Sequence, residues 1–446
     1  MVTERAGAGQ RAGSGQRAGS GERAGAGEWI GAAEAAERLG VKQASLYSYV
    51  SRGVLTRRRD RGSRTSLFSA REIEGLARRG RPRRAPRRGE LVIETQLTEI
   101  TGEHLRYRGL DAIALAAERS LEDVAYLLWT GTLGDPEPAG RWRATDPAIA
   151  AGSAAQAALP AGTLSLERLQ VIVPALAAAD PLRLHLDPPA VIAAGRCLIA
   201  GMTDCLPPAA PDGPATAAGS ASGVGPGATI AERLVPRLCP RQPEPGLVGA
   251  LRAALVLLAD HELAASTLAA RVAASVRADP YAVVSTGLGA VGGSLHGGAS
   301  FGAEVMLRSA AEPADATRVV GDLLRRGERI PGFGHFVYRG TDPRAAALLG
   351  LIRTAAPGSG RLAVAEAVIA ESRQRALPEP NIDFALAVLA SVAGMIPGAG
   401  EAIFAVARAA GWLAHALEEY ARNTPIRPRG IYTGPRASDA EPCFSS

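Results

Sequence analysis

The chain has 446 residues, enough for two or three domains around a sizeable core, and 47% of them are hydrophobic although only 4% are aromatic. Its net charge of +6 is local: 13 arginines against three acids between Arg57 and Arg88 leave −4 for the remainder, so only that segment bears on polyanions. Lys42 is the single lysine, which excludes Schiff-base chemistry and a Walker-type phosphate loop from the body of the chain and leaves anion recognition to arginine.

The N-terminal residues hold no apolar run of the secretory type, so no signal is expected. Residues 5–28 are the hexapeptides RAGAGQ, RAGSGQ, RAGSGE and RAGAGE, too poor in apolar side chains to order, and residues 1–27 are expected to be disordered. A small domain is expected over 28–80. AAEAAERLG reads as a short helix stopped by Gly40 with Leu39 inward, and a turn leads to a second helix carrying Leu46 and Val50 and ended by Gly53. A basic hairpin centred on Arg61-Gly62 follows, then a helix capped by Ser69 with Glu72 at its third position. Helix, turn, helix and basic wing is a DNA-binding arrangement, and it resembles the winged helix-turn-helix domains of the MerR and excisionase type. The resemblance implies Lys42, Gln43, Ser45 and Tyr47 near a DNA groove and Arg57, Arg58 and Arg59 on phosphates. An inherited docking module that no longer reads DNA fits the same pattern.

Residues 81–88, with Pro82 and Pro86 among arginines, read as a linker. Beyond it, strand-like alternation at Val92-Ile93 is followed by Thr101-Gly102 and a second short strand, then a helix in LEDVAYLLWTG with Val124, Leu127 and Leu128 on one side. Residues 203–228 look like a Pro/Ala/Gly-rich loop insertion. From Leu247 the chain is strongly helical, with inward spacings of four at Leu268, Val272, Val276 and at Trp412, Ala416, Tyr420. The apolar stretch Phe384–Gly400 is short for a membrane span and reads as buried helices joined by a turn. The four cysteines show no paired spacing, and a reducing cytoplasm is expected.

Chemistry concentrates in a few places. His296 in LHGGA and His335 in PGFGH are wrapped in glycine, which lets backbone approach a ligand closely. Asp383 in NIDF enters an apolar helix, either as a cap or as a base of raised pKa in a dry pocket. Arg408 interrupts the apolar helix IFAVARAAGW, where a guanidinium needs an anion to meet, and Arg344 and Arg427 join it as candidates for a dicarboxylate.

YRGLDAIALA, SLEDVAYLLWTG, DHELAAST, LHGGA, PGFGH…DPRA, NIDF, IFAVARAAGWLAH and IRPRGIYTG occur in the order found in citrate synthases. The chain resembles that family over about residues 89–435. The resemblance implies a mainly α, two-domain citrate synthase-like fold over 89–446, with a large domain of about 89–298 and 396–446 and a small one of about 299–395 that closes on the substrates. It implies that Asp383 removes a proton from an acyl-CoA, that His296 binds the thioester oxygen, and that His335 polarises the ketone of oxaloacetate. His261, Arg344 and Arg408 would hold oxaloacetate, with Arg427 reaching in from the second subunit of a homodimer. Ile330, Pro331, Gly332, Phe333 and Gly334 would meet coenzyme A, which enters as substrate; no tightly bound cofactor, metal or membrane partner is expected.

The sequence departs from the family pattern at Leu258, Ala265, Ser300-Phe301 and Ala385-Leu386-Ala387, near the expected site but not at its acid, base or arginines. The expected activity is condensation of acetyl-CoA with oxaloacetate to citrate. The alternatives are 2-methylcitrate synthesis from propionyl-CoA, since one methylene is worth only about 1–3 kcal/mol in such a pocket, and a DNA-binding regulator that uses the fold as a metabolite sensor.

Overall fold

Contacts divide the chain into two compact units after Ile93. The computed structural model describes residues 29–39, 41, 43–51, 54–59, 65–78, 92–136, 142–210, 227–293, 296, 298–338, 340–430 and 432–433. The repeat, the basic linker, Lys42, Gly40, Gly53 and the middle of the 203–228 insertion lie outside those residues.

The first unit contains β1 (Trp29–Gly31), α1 (Ala32–Leu39), α2 (Gln43–Ser51), β2 (Arg57–Arg59), β3 (Ser66–Ser69) and α3 (Ala70–Arg78). Its antiparallel sheet runs β1-β3-β2, with Ile30 opposite Phe68 and Arg58 opposite Leu67. β2 and β3 pair antiparallel where a hairpin was expected, with a register one residue beyond an Arg61-Gly62 centre; β1 was not expected, because three residues around Trp29 carry no readable alternation. Ile30, Ala35, Leu46, Leu55, Phe68 and Ile73 form a separate small core. Ser69 accepts from the Glu72 N–H at 3.5 Å, but the Glu72 carboxylate accepts from Thr56 N and Oγ1 at 2.6 and 2.9 Å. The expected capping pair is therefore half made, and its acid ties Thr56, just ahead of β2, to α3 instead.

The second unit opens with a meander of β4 (Thr98–Thr101), β5 (His104–Tyr107) and β6 (Leu110–Asp111). The strand expected at Val92-Ile93 is irregular chain, and Val92 is exposed. Pairing begins only at Thr98, where the turn at Gly102 (φ +61°) brings β5 alongside. Helices follow: α4 (Ala112–Glu118), α5 (Leu121–Thr130), α6 (Asp146–Ala157), α7 (Ser165–Ala178), α8 (Pro188–Asp204) and α9 (Ile230–Leu238). Then come α10 (Pro245–Leu258), α11 (Ala265–Ser275), α12 (Pro280–Val291), α13 (Gly298–Arg308), α14 (Ala316–Arg325), α15 (Pro343–Ala355), α16 (Gly360–Gln374), α17 (Ile382–Val392) and α18 (Ala399–Arg422). Local sequence sets many of their starts: capping boxes at Ser120/Asp123 and Thr229/Glu232, and proline at the first position of α8, α10, α12 and α15.

The fold is mainly α. Helix α18, 24 residues and about 36 Å long, is buried along most of its length and packs against α5, α7, α8, α10, α11, α12, α13 and α17. That position explains its all-round apolar sequence. Trp412, Ala416 and Tyr420 face inward as expected. Stripe Leu268–Val272–Val276 does not: Val272 and Val276 are exposed, and α11 buries Ser266, Thr267, Ala270, Arg271 and Ala274. Among the described residues no helix is long and apolar enough to cross a membrane.

Candidate active site

Three stretches of chain carry most of the site, and Asp383 on α17 and His296 ahead of α13 add to them. The first is the turn from α10 to α11, which carries His261. The second is the segment before α15, described at 330–338 and 340–342. Its Gly332 has φ +78°, and a Cβ there would lie 2.7 Å from that of Phe384 and 2.8 Å from the Phe384 backbone. Asn381 anchors the loop: its N–H donates to Gly332 O and its side-chain amide to Gly334 O, both at 2.8 Å. The same Asn381 caps α17 by accepting from Asp383 N and Phe384 N, so one residue registers the PGFGH loop against the helix that carries Asp383. Asn381, not Asp383, is the cap, which leaves the Asp383 carboxyl free for other work. The third stretch is α18, with Phe404 and Arg408 one turn apart.

Side chains converge from all three. His261 Nε2 lies 3.1 Å from the Tyr338 hydroxyl, and its ring meets that of His335 edge-on at 5.2 Å between centroids. His335 Nδ1 accepts the N–H groups of Val337 and Tyr338 at 3.0 and 3.3 Å, which puts the ring proton on Nε2. Arg344 Nη2 sits 3.3 Å from that Nε2; both cannot donate, so this is a contact and not a hydrogen bond. Asp342 caps α15 and takes Arg344 Nε and Nη2 at 3.0 and 2.8 Å. His296 Nε2 lies 2.8 Å from Ser266 Oγ, and its ring packs edge-on against Phe404. Phe404 in turn lies 4.6 Å beneath the Arg408 guanidinium. Arg408 is buried and donates Nε to Leu258 O at 2.7 Å, while its two Nη atoms make no hydrogen bond among the described residues.

Electrostatics assign a state to each group. Burial, reinforced by the Arg344 and Arg408 charges, holds His261 well below the usual imidazole value. Burial and Arg408 lower His296 to about 4, and burial and Arg344 lower His335 to about 4. All three rings are therefore neutral at pH 7. Arg408 is lowered by burial to about 10 and stays charged. Burial would raise the Asp342 carboxyl, but Arg344 outweighs it and keeps Asp342 below its ordinary value. Asp383 has no such partner. Desolvation raises it to about 7 against the pull of Arg344 and Arg408, and among the described residues its carboxyl accepts no hydrogen bond.

The structure thus gathers His261, His335, Arg344, Arg408 and Asp383, with His296 joined through Phe404. It does not bring Arg427 there: that residue is exposed on the extended segment after α18, beside Pro428, Arg429 and Gly430. In the first unit, Gln43, Ser45 and Tyr47 lie on α2, and Arg57, Arg58 and Arg59 form the exposed edge strand β2. Arg57 stacks over Tyr47 at 5.3 Å and Arg58 over Trp29 at 4.8 Å. Sequence reasoning missed Tyr338, Asp342, Asn381, Ser266 and Phe404. Asp342 and Asn381 had a signal, a capping residue ahead of a helix start; Phe404 had none in a helix apolar on every face.

A profile described as citrate synthase, C-terminal domain matches residues 87–429. A citrate synthase of Haloferax volcanii is 33% identical over 79% of this chain and 96% of its own length. A 2-methylcitrate synthase of Mycobacterium tuberculosis is 30% identical over 78% of this chain and 89% of its own. Among solved structures, citrate synthase from Thermotoga maritima superposes with a TM-score of 0.64 at 25% identity, covering 79% of this chain and 96% of that one. The chain belongs to the citrate synthase family of acyltransferases.

Proposed function

We propose that this acyltransferase condenses acetyl-CoA with oxaloacetate and hydrolyses the thioester to citrate and coenzyme A. The observation that carries the reading is the charge pattern: one carboxyl raised to about 7, Asp383, beside two guanidiniums and three imidazoles that are neutral at pH 7. Asp383 takes a proton from the acyl α-carbon. His296, with Nε2 engaged by Ser266, offers Nδ1–H to the thioester oxygen, where negative charge develops. His335 turns Nε2–H to the ketone, whose carbon bonds the enol carbon while its oxygen takes the proton. His261, Arg344 and Arg408 hold the carboxylates. Water then adds to the thioester and the C–S bond breaks, releasing the thiol. Ile330–Gly334 offers backbone groups to coenzyme A, and movement of the 299–395 region excludes water before hydrolysis.

A homodimer suits the exposed Val272 of α11, the exposed Val276 that caps it and the exposed Arg427, which in this reading completes a partner's site. Free Cys197, Cys205 and Cys239 suit a cytoplasmic setting. The first unit we read as a helix-turn-helix module whose β2 arginines meet DNA phosphates, accessory to catalysis; retention of Asp383 favours an enzyme over a pure sensor, because binding needs no base. The likeness to a 2-methylcitrate synthase keeps propionyl-CoA as the second substrate to test.

Thiol release from acetyl-CoA and propionyl-CoA, each with oxaloacetate, tests the reading, with Asp383→Ala as control. Oxaloacetate-dependent release lost by orders of magnitude in the variant is expected, and the ratio of rates identifies the acyl group. Absence of release in a folded protein that binds oxaloacetate would favour the sensor.

A further inference from the structure

Helix α18 presents Arg408, Gly411 and His415 at spacings of three and four, which places them in one stripe. All three meet the same short turn, Leu258–His261. Arg408 Nε donates to Leu258 O at 2.7 Å. A Cβ at Gly411 would lie 2.4 Å from Ala259 O and 2.5 Å from Asp260 Oδ1, so only glycine lets the turn lie this close to the helix. His415 Nε2 lies 3.2 Å from Asp260 Oδ1 and hydrogen-bonds Asp260 Oδ2 at 3.4 Å. On its other side, His415 Nδ1 faces Arg271 Nη1, and Arg271 is also paired with Glu418 and Glu419. A guanidinium nitrogen only donates, so Nδ1 accepts and the ring proton sits on Nε2, directed at Asp260. Asp260 takes two more donors, Thr98 Oγ1 at 2.5 Å and Glu262 N at 3.2 Å. Asp260, Arg271 and His415 are all fully buried, and none of them has a part in the proton transfers above.

Burying the carboxylates of Asp260 and Glu419, a guanidinium and an imidazole is expensive unless they fix something. What they fix is a turn with two outputs: the carbonyl that orients Arg408, and the residue next to Asp260, His261. We infer that His415, Asp260 and Thr98 are positioning residues that set how Arg408 and His261 present to the oxo acid, and so govern its affinity separately from that of the acyl-CoA. The inference rests on the assignment of Arg408 and His261 to the oxo acid.

The test is steady-state kinetics on the full-length enzyme with Thr98→Val, Thr98→Ser, His415→Leu, His415→Gln and Arg408→Leu. Thr98→Val removes one hydrogen bond to a buried carboxylate, and KM for oxaloacetate should rise about 3- to 10-fold while KM for acetyl-CoA stays within about twofold. Thr98→Ser, which restores the hydroxyl, should return both to the parent values. His415→Leu should raise the oxaloacetate KM further, with His415→Gln between it and the parent. If His415→Leu fails to fold, the Thr98 pair decides. A folded Thr98→Val enzyme with an unchanged oxaloacetate KM, or one that loses kcat and stability with neither KM moved, overturns the inference when Arg408→Leu still raises that KM. An unchanged KM in Arg408→Leu instead overturns the oxo-acid assignment, and the inference with it.

Discussion

In the proposed reaction Asp383 is the base, in a place that disfavours charge, and the two demands meet in its raised pKa of about 7. The linkage sign follows. The unfolded carboxyl ionises near its ordinary 3.8 and the folded one only near 7, so the folded state holds the extra proton between those values and loses stability as pH climbs through that window. The accumulated penalty at pH 8 is up to about 4 kcal/mol, less for a side chain that keeps some solvent exposure. Asp383→Asn, which cannot ionise, should therefore melt higher than the parent, by a margin that grows from pH 4 to pH 7 and levels off above; a margin independent of pH would remove the raised pKa. This residue was legible in the sequence, as was Arg408, because an ionisable group inside an apolar helix needs a reason. Arg271 was not legible. It is as deeply buried as Arg408, but its partners Glu418, Glu419 and His415 lie almost 150 residues away, and no local pattern announces them.

Elements carry the site only where they are locked to one another, and the PGFGH loop is locked to α17. Gly332 sits at positive φ against the start of α17, with Phe333 and Phe384 in edge contact 4.7 Å apart above it. Gly332→Ala adds backbone strain of about 1–3 kcal/mol and drives a methyl into Phe384, one residue from Asp383. We expect kcat to fall at least about tenfold, because angstrom-scale misplacement of a catalytic group is expensive, with a lower urea midpoint; parent-like turnover would show that the loop does not register the base. The glycines of this loop could be read in advance because they flank a histidine. The face of α11 could not: spacing at Leu268, Val272 and Val276 reports an amphipathic helix, but which side is inner depends on α18 and α12, which bury the side bearing Arg271. Similarly, alternation at Val92-Ile93 has no partner strand among the described residues, and β4 forms where Gly102 turns the chain back.

At the scale of the molecule, two cores share no residue: one of the first unit around Leu46 and Phe68, and one of the second unit running from Leu97 to Tyr420. The family match begins at residue 87, and every group assigned to the chemistry follows it. A unit with its own core and none of the residues of the proposed chemistry should be separable. Deleting residues 1–85 removes the +10 segment almost entirely, so the remaining chain should also lose any salt-sensitive affinity for duplex DNA. The expected outcome is an enzyme with kcat and both KM values within about twofold of the full chain, a main thermal transition that moves little, and no retention on a DNA column that holds the full chain at low salt. Loss of folding on truncation would mean that the first unit is part of the enzyme's structure. Retained folding with altered KM would mean that it modulates the site, which is the behaviour a metabolite-linked regulator requires.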